Sequence, residues 1–192
     1  MTCIPPLEFW DLGHKLFRTT PDSFPVTFVP GNVFDPEHLS IVSLFTANSP
    51  PVTTVPDLRT LTSLNPLRGH VSAIYASAFF HLFPKDAQLR VARALAGLLS
   101  PKPGSMILGK QVGLPDNEQC EEHCEVSETP ESTFRQRCHT SQSWLELWDG
   151  EVFPKGTVRA LAFVTEVPED MVTKMFPEAK SLHMLTWSVT RL

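Results

Sequence analysis

Apolar positions in the segment PLEFWDLGHKLFR recur at helical spacing: Phe9, Leu12, Leu16 and Phe17 share one face, with Trp10 beside them. The pattern predicts an amphipathic helix that ends before Pro21. In FPVTFVPGNVFD the period changes, and its β-branched and aromatic residues predict a strand over Pro25 to Val29 that enters a turn at Pro30-Gly31. Asp57 stands as an N-cap before a short helix, LRTLTSL. Val71 to Tyr75 is short, apolar and followed by small residues, as a buried strand would be. After Pro84, which stands at a helix start, Leu89, Ala92, Leu95, Ala96 and Leu99 return to helical spacing until PKPG, Pro101 to Gly104, ends the run. SMILG is then a second short apolar strand. Strand, helix, Pro-Gly turn and strand together predict a right-handed βαβ crossover in a parallel sheet.

Further along, SQSWLELWDG reads as an amphipathic helix with Ser141 as its cap and Gly150 as its stop. Trp144 and Trp148, four apart, form a stripe facing the core. Thr157 to Val167 and Leu182 to Leu192 are long β-rich runs with a short connection, and they predict an antiparallel pair closing the sheet edge. Two stretches break the periodicity. Asn48 to Leu58 is proline-rich and linker-like, and Leu114 to Ser141 is polar, without apolar spacing, and reads as a long surface loop.

Composition bounds what this arrangement can be. A chain of 192 residues fits one domain, residues 1–192, with a substantial core. A net charge of −5 with no basic run argues against a nucleic-acid surface. No stretch approaches the roughly 18 apolar residues that would suggest a membrane span. The first residues, MTCIPPLEFWDLGHK, lack the charged leader and apolar core of a secretory signal. With four cysteines, a reducing compartment and free thiols are expected, the cytoplasm by default. Cys120, His123, Cys124, Cys138 and His139 fall in the polar stretch, but C-x3-C…C-H lacks the paired C-x2-C knuckles of structural zinc modules, so solvated thiols are expected and no metal. No nucleophile elbow or Ser-His-Asp order is present.

Four stretches resemble class I S-adenosylmethionine-dependent methyltransferases, above all the small-molecule enzymes of fungal secondary metabolism. They are PLEFWDLGHKLFR, FPVTFVPGNVFDPEHL, the run from SLNPLRGHVSAIYASAFFHLF to LLSPKPGSMILG, and the final TWSVTRL. Of these the third is the most specific, because strand, Phe80-His81-Leu82, helix and LLSPKPGSMI match the family in that order. The resemblance implies an α/β fold in which the ligand lies in the crevice where the strand order reverses. It also implies that the chain starts near the end of the family's second strand. The glycine-rich cofactor loop is absent, and Glu8 is the nearest acid to the place where the family grips the ribose. The expected fold is therefore an incomplete Rossmann-like methyltransferase sheet lacking the first two strands, with a C-terminal antiparallel strand pair. Removing central strands would leave open edges. Three outcomes are open: a homodimer or partner chain completes the sheet, the strands re-pair, or the chain is a shortened product.

The same resemblance marks two groups of cofactor residues for S-adenosylmethionine. Gly31, Asn32 and Val33 follow a strand where the family places an acid that accepts the adenine amino group. An amide oxygen at Asn32 can still accept that bond, without charge assistance; an ordinary Pro-Gly-Asn turn is the plain reading of the same residues. Tyr75, Ala76 and Ser77 stand where family members line the crevice, and the Tyr75 phenol could pack or hydrogen-bond there. His81 is a general base by type, or a buried structural histidine between Phe80 and Leu82. Two functions follow: a methyltransferase acting on a small molecule, or a methyltransferase-derived protein that binds a hydrophobic metabolite, templating a cyclisation or isomerisation, or assembles with a partner.

Overall fold

The computed structural model describes residues 7–117, 137–175 and 181–192. Its centre is one four-stranded sheet of β1 (Ala73–Tyr75), β2 (Met106–Val112), β3 (Val158–Glu166) and β4 (His183–Arg191), in the order β1-β2-β4-β3. β1 runs parallel to β2, with Ala73 opposite Met106. The strand–helix–strand unit is thus as expected, with helix α2 (Lys85–Leu98) between its strands and Pro84 at the helix's N-cap position. β4 is antiparallel to both β2 and β3, which confirms the C-terminal pair. It is a mixed α/β sheet, compatible with part of a methyltransferase-like fold.

Register separates the two faces. Ile107, Gly109 and Gln111 of β2 stand opposite Val189, Trp187 and Leu185 of β4, and all six are buried. Onto this face pack α2, through Val91, Ala92, Leu95 and Leu98, and helix α3 (Ser141–Trp148), through Trp144, Leu147 and Trp148. The tryptophan stripe does face the core, and Phe80 sits among its rings, 5.1 Å edge-on from Trp144 and 5.8 Å from Trp187. The cap of α3 is Thr140 rather than Ser141. Its hydroxyl accepts from Ser143 N–H, while Ser143 Oγ accepts from Thr140 N–H, a reciprocal box that Ser141 is one position too late to make.

Other expectations are corrected. Pro25 to Val29 is irregular, not a strand: Val26 N–H turns back to Phe24 O, Pro25 and Pro30 have no N–H to give, and Phe28 stacks on Trp10 at 4.7 Å. The segment after Asp57 makes a single 3-10 turn, Leu58–Thr60, although Asp57 does cap it by accepting from Arg59 N–H. The strand expected over Val71 to Tyr75 is shorter, Ala73–Tyr75, and covered on one side. Ile74 packs against the core, whereas Ala73 and Tyr75 lie on the uncovered face of the sheet and are exposed rather than buried. The link between β3 and β4 contains a helix, α4 (Glu169–Met175).

Helix α1 (Leu7–Phe17) forms and ends as expected. Arg18 adopts φ 53°, Thr19 N–H returns to His14 O, and the histidine ring bonds the Thr19 hydroxyl. Its apolar stripe is not buried, however: Phe9, Leu12, Leu16 and Phe17 are each more than half exposed. Most of the polar stretch at 114–141, with Cys120, His123 and Cys124, lies outside the described residues. Cys138 and His139 are described and are buried, not solvated. No group of metal ligands occurs among the described residues, and no helix among them is long and apolar enough to cross a membrane.

Candidate functional site

The chain holds to the sheet for three residues beyond β1. Ala76 N–H donates to Leu108 O at 2.9 Å and Ala78 N–H to Lys110 O at 2.7 Å. This approach depends on Gly109, because a Cβ there would stand 2.0 Å from the Ala76 carbonyl oxygen. Ala78 then turns the chain away with φ 50°, the left-handed region, where an alanine carries strain on the order of 1 kcal/mol. Neither residue stood out in the sequence. Gly109 reads as one small residue in SMILG, and a positive φ leaves no trace when the residue is alanine.

These bonds divide the residues expected at the crevice. Tyr75 is 71% exposed, its phenol open to solvent at the C-terminal end of the edge strand. Ala76 is core. Ser77 is exposed, but its hydroxyl donates to Lys110 O at 3.0 Å. His81 lies in the 3-10 turn Phe80–Leu82 and is buried, which holds its imidazole below the usual range and favours the neutral ring.

The turn at Gly31-Asn32 is tightly built. Asn32 Oδ1 accepts from Phe34 N–H at 3.0 Å and Asn32 O accepts from Asp35 N–H at 2.9 Å, closing an Asx turn. The oxygen expected at an adenine amino group is thus bonded to the main chain, with one lone pair left. Gly31 backs directly onto His38, whose Nδ1 is 2.0 Å from where a Cβ would be. Sequence reasoning missed His38. Burial lowers its pKa against the opposing pull of Asp35, and PEH beside a turn gave no signal of that burial. A run of rings links the segments that carry the two groups: Phe34 meets Phe83 edge-on at 5.0 Å, and Phe83 meets Phe79 at 5.2 Å.

The chain is 28% identical over 149 residues to O-methyltransferase phiE of Fungal sp., which covers 78% of this chain and 39% of that protein. It is 25% identical to methyltransferase ausD of Aspergillus calidoustus, over 87% of this chain and 49% of that protein. Methyltransferase adrK of Penicillium rubens is 26% identical, over 96% of this chain and 54% of the relative. The chain is methyltransferase-like. No family model and no solved structure matches it. This methyltransferase-like chain spans about half the length of the curated relatives it matches.

Methyltransferases use S-adenosylmethionine as their usual methyl donor, and the residues present fit that group only in part. Asn32 keeps one acceptor lone pair and Tyr75 stands free at the rim, whereas the other lone pair of Asn32 Oδ1 is already taken by Phe34 N–H.

Proposed function

We propose that this methyltransferase-like chain acts on a small molecule in fungal secondary metabolism, in the cytoplasm, with S-adenosylmethionine held at the C-terminal end of β1. Similarity to three fungal methyltransferases over most of the chain carries the reading. Gly31, Asn32 and Val33 would meet the adenine end, and Tyr75, Ala76 and Ser77 the crevice wall. His81 would be the base where the nucleophile needs one. Methyl transfer to an activated nucleophile asks mainly for positioning, so a site made largely of rings and main chain is chemically adequate. S-adenosylmethionine, when bound, supplies an electrophilic methyl group.

The reading also asks that the sheet be completed at β1, which among the described residues pairs on one side only and leaves its outer N–H and C=O groups unpaired by strand. A second copy of the chain is the simplest source, a partner chain the other. Sedimentation and calorimetry test this together. A dimer with saturable heat at or below millimolar S-adenosylmethionine, weakened in Tyr75→Ala, is the expected result. A monomer without heat overturns it.

One observation favours a second reading, in which the chain binds a hydrophobic metabolite without methylating it: the Asn32 oxygen is already bonded within its own turn. A metabolite that raises the melting temperature while S-adenosylmethionine leaves it unchanged would select this reading.

A further inference from the structure

The segment after the Asn32 turn lies over the outer side of α2 and encloses a half-open cavity of about 250 Å³. Val33, Phe34, Leu39, Ile41 and Ala94 make most of its wall, and Arg90 of α2 stands at its edge. The polar groups in the wall share one character. The Arg90 guanidinium lies 5.7 Å above the Phe34 ring, a cation on an aromatic face, and makes no ion pair among the described residues. Ser40 lines the cavity, and its hydroxyl accepts from Arg68 Nη2, which leaves its own proton to donate. The buried Nε of Arg68 has no partner among the described residues. No aspartate or glutamate lines the cavity. Asp35 and Glu37 belong to the same segment but are exposed and outside the wall, and the Asp35 carboxylate accepts from Glu37 N–H. In a chain of net charge −5, this is a local concentration of donors and positive charge on an apolar floor.

We infer that this cavity is a binding site for a small apolar carboxylate, its chain on Val33, Leu39 and Ile41 and its carboxylate between Arg90 and the Ser40 hydroxyl. Apolar walls with a few converging polar groups are the usual form of a ligand site. The volume falls just short of the roughly 300 Å³ at which drug-sized pockets begin, so the ligand is short. A guanidinium beside an aromatic ring is weakly hydrated and forked, which suits it to a carboxylate better than to a hydroxyl. An amine would meet two like charges. The site borders the proposed adenine end at Val33 but does not rest on methyl transfer, and its test uses no methyl donor.

The probes are hexanoate, hexan-1-ol and hexylamine, titrated into the isotopically labelled chain and followed by NMR. Hexanoate should shift the Leu39, Ile41 and Ala94 methyls and the Arg90 Nε–H, with a Kd on the order of 1 mM for so few atoms. Hexan-1-ol should bind about tenfold more weakly and hexylamine not at all. Arg90→Gln, at an exposed position, should bring hexanoate down to the level of the alcohol. Ile41→Trp should fill the cavity and abolish both. Equal affinity for alcohol and carboxylate, shifts away from these residues, no binding of hexanoate, or full binding by Arg90→Gln would each overturn the assignment. The Arg90 variant alone is enough to decide if Ile41→Trp does not fold.

Discussion

The same four strands present two unlike faces. One carries Ile107, Leu185, Trp187 and Val189, all buried under α2 and α3. The other carries Tyr75, Leu161 and Phe163, exposed by 71%, 59% and 56%, beside Lys110 and Arg159, also exposed. Both faces hold aromatic side chains, yet only one uses them for stability. Burial of such a side chain contributes about 1.5–3 kcal/mol, which the open face forgoes. The difference shows where the molecule is self-sufficient and where it is available to others. Sheets with parallel pairing are normally covered on both sides, and here the open face and the unpaired edge of β1 meet at Tyr75. The uncovered stripe of α1 is a second surface of the same kind.

Truncation on each face is the strongest way to break this contrast. Trp187→Ala should cost about 3–5 kcal/mol in chemical denaturation, because Trp144, Trp148 and Phe80 would lose a common neighbour. Phe163→Ala should change stability by less than about 0.5 kcal/mol. Comparable costs would mean that the open face is covered in solution.

Acid should act through the covered side. His139 is buried against Trp144, and its pKa is pushed down to about 4, first by burial and then by the charge of Lys85. The folded state therefore prefers the neutral ring. Its contribution is complete above the unfolded value near 6.5 and is lost as pH falls towards 4, because the unfolded chain takes up the proton first. The loss is on the order of 3 kcal/mol, and burial of His38 and His81 adds to it in the same direction. His139→Asn, which keeps a partner for Ser143 Oγ, should flatten unfolding curves measured across that window; an unchanged slope would refute the assignment.

Two smaller effects sharpen the picture within the covered side. Gly109→Ala should cost about 1–3 kcal/mol, since the Ala76 carbonyl must move, and should shift the amide resonances of residues 76–78. A neutral outcome would mean that the segment after β1 is not held to β2. Gln111 is fully buried with both amide atoms unbonded, so Gln111→Leu should raise the melting temperature by a few degrees, corresponding to about 1 kcal/mol. A fall would show that water or a ligand satisfies that amide.

Much of the architecture could be read locally. Helical spacing located α1, α2 and α3, the PKPG turn located the start of β2, and long runs of β-forming residues located β3 and β4, because each of these patterns expresses preferences and contacts within a few residues. Segments whose pairing depends on distant residues were misread. Pro25 to Val29 has the composition of a strand but finds no strand beside it, and its Phe28 is used to stack on Trp10. At the candidate site, the resemblance to methyltransferases pointed to Tyr75 and Asn32. It gave no hint that Asn32 spends its oxygen on Phe34, that Gly109 admits the Ala76 carbonyl, or that His38 closes over Gly31. By itself the sequence determined helices α1, α2 and α3, strands β1 to β4 and the methyltransferase likeness, but not α4, nor that Pro25 to Val29 is no strand. Only the tertiary structure decided the strand order, the exposed position of β1 and which apolar surfaces are covered. A periodic stripe records that one side of an element avoids water, as in α1, but what lies against that side is set by residues far away in the chain.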